Sequence, residues 1–444
     1  MPQHEAIARQ REAGNGCAAG RQWRRCSFLD PLARQLARLR AYALLTYPFA
    51  CVPFLFLFFQ HHGMDAGQYG EIVGAYYLAM FVAEVPTGML ADRFGYKPML
   101  VAGPLLLATG FLSLLVWPTY GGFLLGEVLL GLGHAVLSGP PAALLYESLR
   151  EHDQEWRFLR TESGIGARRM LGTGAAFLLG GLLVRFGNAN GDAWALPIVA
   201  TAMLCLGAAA IAVFLRSPPH QGRLRLPAFA RAVAQEVRRP AVLWLLGYWI
   251  VLFALLRFPF HAYQPWLREA GAAEPILLDP LFVGVLFAAM NLFAAPFSAC
   301  LPWLVERVGR RALFWGMPIV LCASLGVMAW ERYSAADGDP SRSLAWLGVA
   351  MLFVQQVPFG LHQALLSDFV NHRIGSATRT TVLSVLSLGA RAVYAAINVA
   401  LFHVHADSGL GQALSVAAVV GLAAAMLALL LRPRNLLDAP AGRV

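Results

Sequence analysis

From residue 41 to residue 431 the chain alternates between long apolar runs and short polar breaks. The runs are about 20 residues each, the length a helix needs to cross about 30 Å of hydrocarbon at about 1.5 Å per residue. Twelve are read, at 41–60, 69–91, 98–117, 121–146, 166–186 and 194–215, then 241–262, 279–303, 312–330, 343–366, 380–403 and 409–431. A membrane-spanning strand would need only about 9–11 residues and strict alternation. No such alternation occurs, so the pattern predicts an all-α integral membrane protein of twelve transmembrane helices in two six-helix, pseudo-symmetric halves. The composition agrees, with 58% hydrophobic and 14% charged residues, more apolar than the roughly 45–50% of soluble domains.

Charge sets the expected topology. Of 34 arginines and one lysine, 27 lie in the two tails and in alternate loops, while only Arg185, Arg268, Arg332 and Arg342 are assigned to the other side. By the positive-inside rule both termini are expected to be cytoplasmic, with the chain in the cell inner membrane. The net charge of +10 is then a topology signal rather than a nucleic-acid surface. The expected division is a basic tail at 1–40, a first half at 41–215, a basic linker at 216–240, a second half at 241–431 and a tail at 432–444. DPLARQLARLR, residues 30–40, gathers Leu32, Leu36 and Leu39 on one face, which suits either a helix along the inner membrane surface or a frayed tail. The arginine-rich start also has the character of an organelle transit peptide, but no apolar core precedes the first run, so a cleavable signal peptide is not expected.

The halves echo each other. GMLADRFGYKPML at 88–100 reappears as PWLVERVGRRALF at 302–314, an offset of 214, and AALLYES at 142–148 as QALLSDF at 363–369, an offset of 221. Parallel repeats of six spans about a linker are a transporter pattern. GMLADRFGYKPML resembles the loop signature of the major facilitator superfamily, G-x-L-a-D-r-x-G-r-k-x-x-l, matching at Gly88, Leu90, Ala91, Asp92, Arg93, Gly95, Lys97 and Leu100. Tyr96 departs from a usually basic position, and the second copy departs further with Pro302 and Glu306. The resemblance implies a cytoplasmic gating loop that latches the halves together, with Asp92 at the start of the eleventh span near Arg379 to Thr381 and Arg93 against Glu147. Gly88 would allow close helix approach.

Inside the runs, depth selects the candidates, because charges near a span end can reach the interface and central ones cannot. Arg391 lies near the middle of its run, with Ser384, Ser387, Tyr394 and Asn398 on the same helical face; that stripe faces either a substrate cavity, an ionic partner or a polar seam. Glu84 shares a face with Tyr77 and Gly88. A carboxylate in a low-dielectric site can cycle between protonated and ionised forms near neutral pH, which proton coupling requires. Glu127 is the second proton-coupling candidate: GEVLLGLGHA at 126–135 resembles the superfamily's fourth-helix motif R-x-x-q-G-x-g-a, with the glutamate standing where the arginine belongs. Gln355, Gln356 and Asn291 are further cavity donors or interhelical glue. Arg257, with His261 one turn on, is read as reaching the outer interface, with a cavity role the alternative. Ser138 to Pro141 in the fourth run and Pro358 in the tenth are expected to bend cavity-lining helices.

No nucleotide-binding loop, hydrolase pattern or metal-ligand spacing is present in the sequence, which argues against an ATP-driven pump or an enzyme, and no cofactor is expected. The resulting expectation is a monomeric secondary transporter that works by alternating access among membrane lipids. Proton-coupled export of an amphiphilic or anionic small molecule is the leading form. Uptake of an anionic solute or lipid translocation is the alternative, since GTGAAFLLGG at 172–181 lacks the G-P of an antiporter signature, and a membrane receptor or enzyme is the remote one.

Overall fold

The computed structural model describes residues 31–47, 49–190, 194–217, 235, 238–336, 341–373 and 379–433, and within them not the side chains of 188–190, 368, 371–373 and 379–384. The 216–240 linker and both tails therefore fall largely outside the described residues. Among those described there is no strand.

The helices are α1 (Pro31–Thr46), α2 (Leu55–His61), α3 (Ala66–Phe94), α4 (Tyr96–Val116), α5 (Tyr120–Val136), α6 (Pro140–Arg150), α7 (Phe158–Asn190), α8 (Ala195–Val213), α9 (Pro240–Ala270), α10 (Pro280–Ala336), α11 (Arg342–Arg373), α12 (Arg379–Ser408) and α13 (Leu410–Leu430). Ten helical segments are long and apolar enough to cross a membrane. One of these, α10, is two arms, 280–308 and 310–336, meeting at Gly309, and the broken α1–α2 segment completes twelve crossings. An even number leaves Pro31 and Leu430, where the described helices begin and end, on one side of the bundle, here called the terminal side.

Local chemistry sets the joints. Asp65 caps α3, its carboxylate accepting from the Gln68 amide at 2.8 Å while the Gln68 side chain accepts from the Asp65 amide at 3.1 Å, so two otherwise orphaned amides are paired. Between α3 and α4 Gly95 sits at φ 84° and ψ 172°, and between the arms of α10 Gly309 sits at φ 80° and ψ 154°. Side chains rarely adopt that conformation, so glycine is required at both. Their separation is the 214-residue offset of the repeat, and the same turn therefore closes the same helix pair in each half.

Two boundaries differ from the sequence pattern. Leu32, Leu36 and Leu39 are buried, and Gln35 donates to the Arg216 carbonyl at 2.8 Å; α1 thus begins inside the bundle at Pro31 instead of lying on a membrane surface. α9 runs on through Pro259 and Pro265 to Ala270, eight residues past the end of its apolar run. Because the helix continues, Arg257 sits at mid-depth and not at a span end. The fourth span is interrupted at residues 137–139, between α5 and α6, as Ser138 to Pro141 predict, whereas α11 passes unbroken through Pro358.

The halves meet on the side away from the termini. A Cβ added to Gly74 of α3 would lie 2.7 Å from Val399 Cγ2 of α12, and one on Gly284 of α10 would lie 2.6 Å from the Phe177 carbonyl oxygen of α7, so glycine permits both crossings. Asn398 donates to the Gly70 carbonyl at 3.1 Å, His403 Nε2 lies 3.0 Å from Glu71 Oε1, and Arg268 donates to Gln60. On the terminal side, Gly88 has no atom within 4 Å of an added Cβ.

Candidate transport site

The first helix is broken where the two halves face each other. Its chain leaves α1 at Thr46 and turns through a short 3-10 segment, Val52–Phe54, before α2. Backbone groups freed in such a break must find partners away from water. Gln264 of α9 supplies two of them, accepting from the Phe56 amide at 2.8 Å and donating to the Val52 carbonyl at 2.7 Å, and Thr201 accepts from the Cys51 amide at 3.3 Å. The break is thus held open by an amide from the opposite half.

Against the break lies a cavity of about 240 Å³. Tyr47, Phe49 and Val52 of the break form one wall; α3 contributes Tyr69, Tyr76 and Tyr77, α5 contributes Glu127 and His134, and α9 contributes Arg257, Phe260 and His261. Most of its polar groups are already engaged. His261 is clasped by the other half, with Tyr77 Oη 3.2 Å from Nε2 and Tyr69 Oη 3.4 Å from Nδ1. His134 Nδ1 lies 3.0 Å from the Leu130 carbonyl oxygen, so that nitrogen carries the proton.

Glu127 and Arg257 are different. Glu127 is 7% exposed and forms no hydrogen bond or ion pair with any described residue. Arg257 is half-buried and likewise forms none; its guanidinium lies 5.5 Å from the Phe253 ring centre and 5.8 Å from that of Phe359. Its expected escape to the outer interface is therefore corrected: the continuation of α9 carries it into the cavity wall.

Glu84 and Arg391 meet, as an ion pair joining α3 to α12 across the interface. Their side chains are 15% and 18% exposed. The rest of the Arg391 stripe divides. Tyr394 and Asn398 are fully buried, with the tyrosine hydroxyl donating to the Asn398 side chain at 2.9 Å, which makes them a seam between halves rather than cavity wall. Ser387 is half-buried, and the Ser384 side chain lies outside the described residues. Gln355 accepts from the Tyr263 hydroxyl at 2.9 Å and Gln356 donates to the same hydroxyl at 3.1 Å, so these amides join α9 to α11 within one half. Asn291 donates to the Met170 carbonyl at 2.8 Å and links the halves.

The expected latch is only partly assembled. Gly95 makes the turn, but a Cβ added to Gly88 would meet no described atom within 4 Å. Arg93 lies over the ring of neighbouring Phe94 at 5.4 Å, and Glu147 accepts instead from Arg150 at 2.8 Å, a partner one helical turn away that needs no movement to reach. Asp92 and Lys97 are half-buried; the Arg379 to Thr381 side chains expected near Asp92 lie outside the described residues.

Sequence reasoning missed Gln264 and the engaged histidine His134. Gln264 has a legible signal, a lone amide in HAYQPW, once the helix is known to extend that far. His134 sits in the fourth-helix motif two turns on from Glu127, where a histidine carries no spacing signal of its own.

Residues 41–399 match the family model of the Major Facilitator Superfamily. The chain belongs to that superfamily. It is therefore a multi-pass membrane protein. Within the superfamily it is similar to the inner membrane transport protein YajR of Escherichia coli (strain K12), at 25% identity over 334 residues, covering 73% of this chain and 66% of the relative. It is also similar to the multidrug resistance protein MdtH of Aeromonas salmonicida (strain A449), at 35% identity over 103 residues, covering 23% and 26%. The matches thus span just under two thirds of the first relative and about a quarter of the second. Among solved structures, the nucleoside transporter NupG has the same superfamily fold at a TM-score of 0.72 and 13% identity, covering 90% of this chain and 99% of that one. The POT family transporter PepTSo does so at 0.71 and 12%, covering 90% and 97%.

Proposed function

We propose that the chain is a monomeric, proton-coupled exporter of an amphiphilic small molecule in the inner membrane, with both termini cytoplasmic. Two six-helix halves, 41–215 and 241–431, alternate access to the cavity. The sealed side is then extracellular, and the conformation described is the inward-facing one. Carrying this reading is one observation: Glu127 has no described protein partner in an aromatic cavity between the halves. An unpaired carboxylate there holds a proton or a substrate cation, but not both, and that competition exchanges one for the other across the membrane.

Glu84 and Arg391 have a different role in this scheme. Protonation of Glu84 removes the charge that Arg391 answers and so weakens one tie between the halves, biasing the equilibrium between the two states. The MdtH similarity supports export, and the basic loops support the orientation. A second reading, uptake of an anionic solute, is favoured by Arg257, a cavity cation without a described ion-pair partner.

The experiment is flux in proteoliposomes under an imposed pH gradient, using a panel of fluorescent amphiphilic amines and aromatic acids. Export coupling predicts that an amine moves against its gradient toward the acidic compartment and stops when the pH gradient is collapsed. Flux of every carried compound that ignores the pH gradient contradicts the proposal, and carriage of the acids alone favours the second reading.

A further inference from the structure

We propose that the cavity takes a small aromatic zwitterion whose ammonium and carboxylate are carried at separate ends, the ammonium against Glu127 and the carboxylate against Arg257. This rests on the reading of the cavity as the transport site and narrows it to a substrate class. Glu127 projects from α5 in one half and Arg257 from α9 in the other, and both line the same cavity. No ion pair joins them, so their nitrogen and oxygen atoms are more than 4.0 Å apart. The Glu127 carboxyl, which must otherwise hold its own proton, and the half-buried Arg257 guanidinium thus each lack a described counter-charge, and a ligand that supplies both lets both groups be ionised and paired.

The neighbouring polar groups do not fill that role. His261 is held between Tyr69 and Tyr77, Gln264 is committed to the Val52 and Phe56 backbone, and Glu84 and Arg391 answer each other. A cationic ligand would satisfy Glu127 and leave Arg257 unanswered; an anionic one would do the reverse. A ligand bearing both charges satisfies both walls. Tyr76 and Phe260 supply aromatic faces for a flat ring. The 240 Å³ volume is that of about eight waters at about 30 Å³ each, which suits a one-ring compound. Such a ligand also spans the two halves, so its binding energy depends on how they are disposed, which is what a substrate must do to drive alternating access.

The test is equilibrium binding to the purified full chain in lipid nanodiscs, with no gradient present, by titration calorimetry. Three probes on one ring scaffold are compared: 4-(aminomethyl)phenylacetic acid, its methyl ester, which keeps only the ammonium, and its N-acetyl derivative, which keeps only the carboxylate. The zwitterion is expected to bind at least about tenfold more tightly than either. Glu127→Gln should lower its affinity to that of the N-acetyl probe, and Arg257→Gln to that of the ester. Either single-charge probe binding as tightly as the zwitterion to the wild-type chain overturns the proposal, as does failure of the zwitterion to bind at millimolar concentration; neither result needs a variant to fold. Because no gradient enters, these outcomes leave proton-coupled export standing, and that reading fails separately if the pH gradient drives no flux.

Discussion

Two pairs of opposite charges face the interface between the halves, and the molecule treats them differently. Glu84 and Arg391 neutralise each other, from α3 and α12. Glu127 and Arg257 share one cavity and remain apart. The first pair is a tie between halves whose partners come from the protein; the second leaves room for partners that come from solution. Burial alone does not separate them, since Glu127 at 7% is as enclosed as any carboxylate in the site. What separates them is whether a protein group answers the charge.

Stability measurements should break the comparison first. Arg391→Ala leaves Glu84 enclosed and unanswered, and is expected to lower unfolding stability in detergent by about 2–3 kcal/mol, with Glu84→Gln combined with Arg391→Met recovering most of the loss. Glu127→Gln replaces a carboxyl that holds its own proton and Arg257→Gln removes a guanidinium with no described carboxylate partner, so neither breaks an ion pair and each should leave stability near that of the wild type. Loss of stability of similar size in both sets would erase the distinction.

A smaller effect sharpens where the halves meet. Gly74→Leu overfills a crossing where even a Cβ would lie 2.7 Å from Val399, and is expected to cost the sealed conformation about 1–3 kcal/mol. It should expose a reporter introduced as Gln60→Cys to a membrane-impermeant thiol reagent. Gly88→Leu, where an added Cβ has no neighbour, should leave labelling unchanged; equal labelling in both would show that the Gly74 crossing does not hold that side shut.

The smallest expected effect concerns a carboxylate outside the spans. Glu274 accepts from Arg342 and, at 3.1 Å, from the Trp346 indole, and the Arg342 guanidinium holds its carboxyl below the usual range. A depressed folded value means the contact contributes above the ordinary carboxylate value of about 4.3 and is lost as pH falls through the folded value. The difference in thermal midpoint between wild type and Glu274→Gln should therefore be small near pH 7 and shrink as pH falls below the ordinary carboxylate value of about 4.3. A difference that grows on acidification would contradict the assignment.

The fold was legible because a bilayer forces long apolar runs, and because the repeat shows in short motifs: Gly95 and Gly309, 214 residues apart, make the same turn. Span ends were less legible. Hydropathy marks the contact with lipid, whereas α9 continues as a helix past its apolar run and carries Pro265 within the added stretch. That one boundary moved Arg257 from interface to cavity. The polar stripe on α12 is visible in the residue spacing, yet periodicity cannot say what a face meets. Arg391 meets Glu84 and Asn398 meets the Gly70 carbonyl, choices made by the packing of the opposite half. The latch motif was legible as sequence, while its engagement depends on the conformation adopted.

The central claim is that Glu127 exchanges a proton for substrate. Its most direct measurement is proton release when an amphiphilic amine that the chain carries is added to the purified protein in weakly buffered solution, comparing wild type with Glu127→Gln. The account predicts release from the wild type and none from the variant, with the variant still binding uncharged analogues. Equal release from both would contradict it.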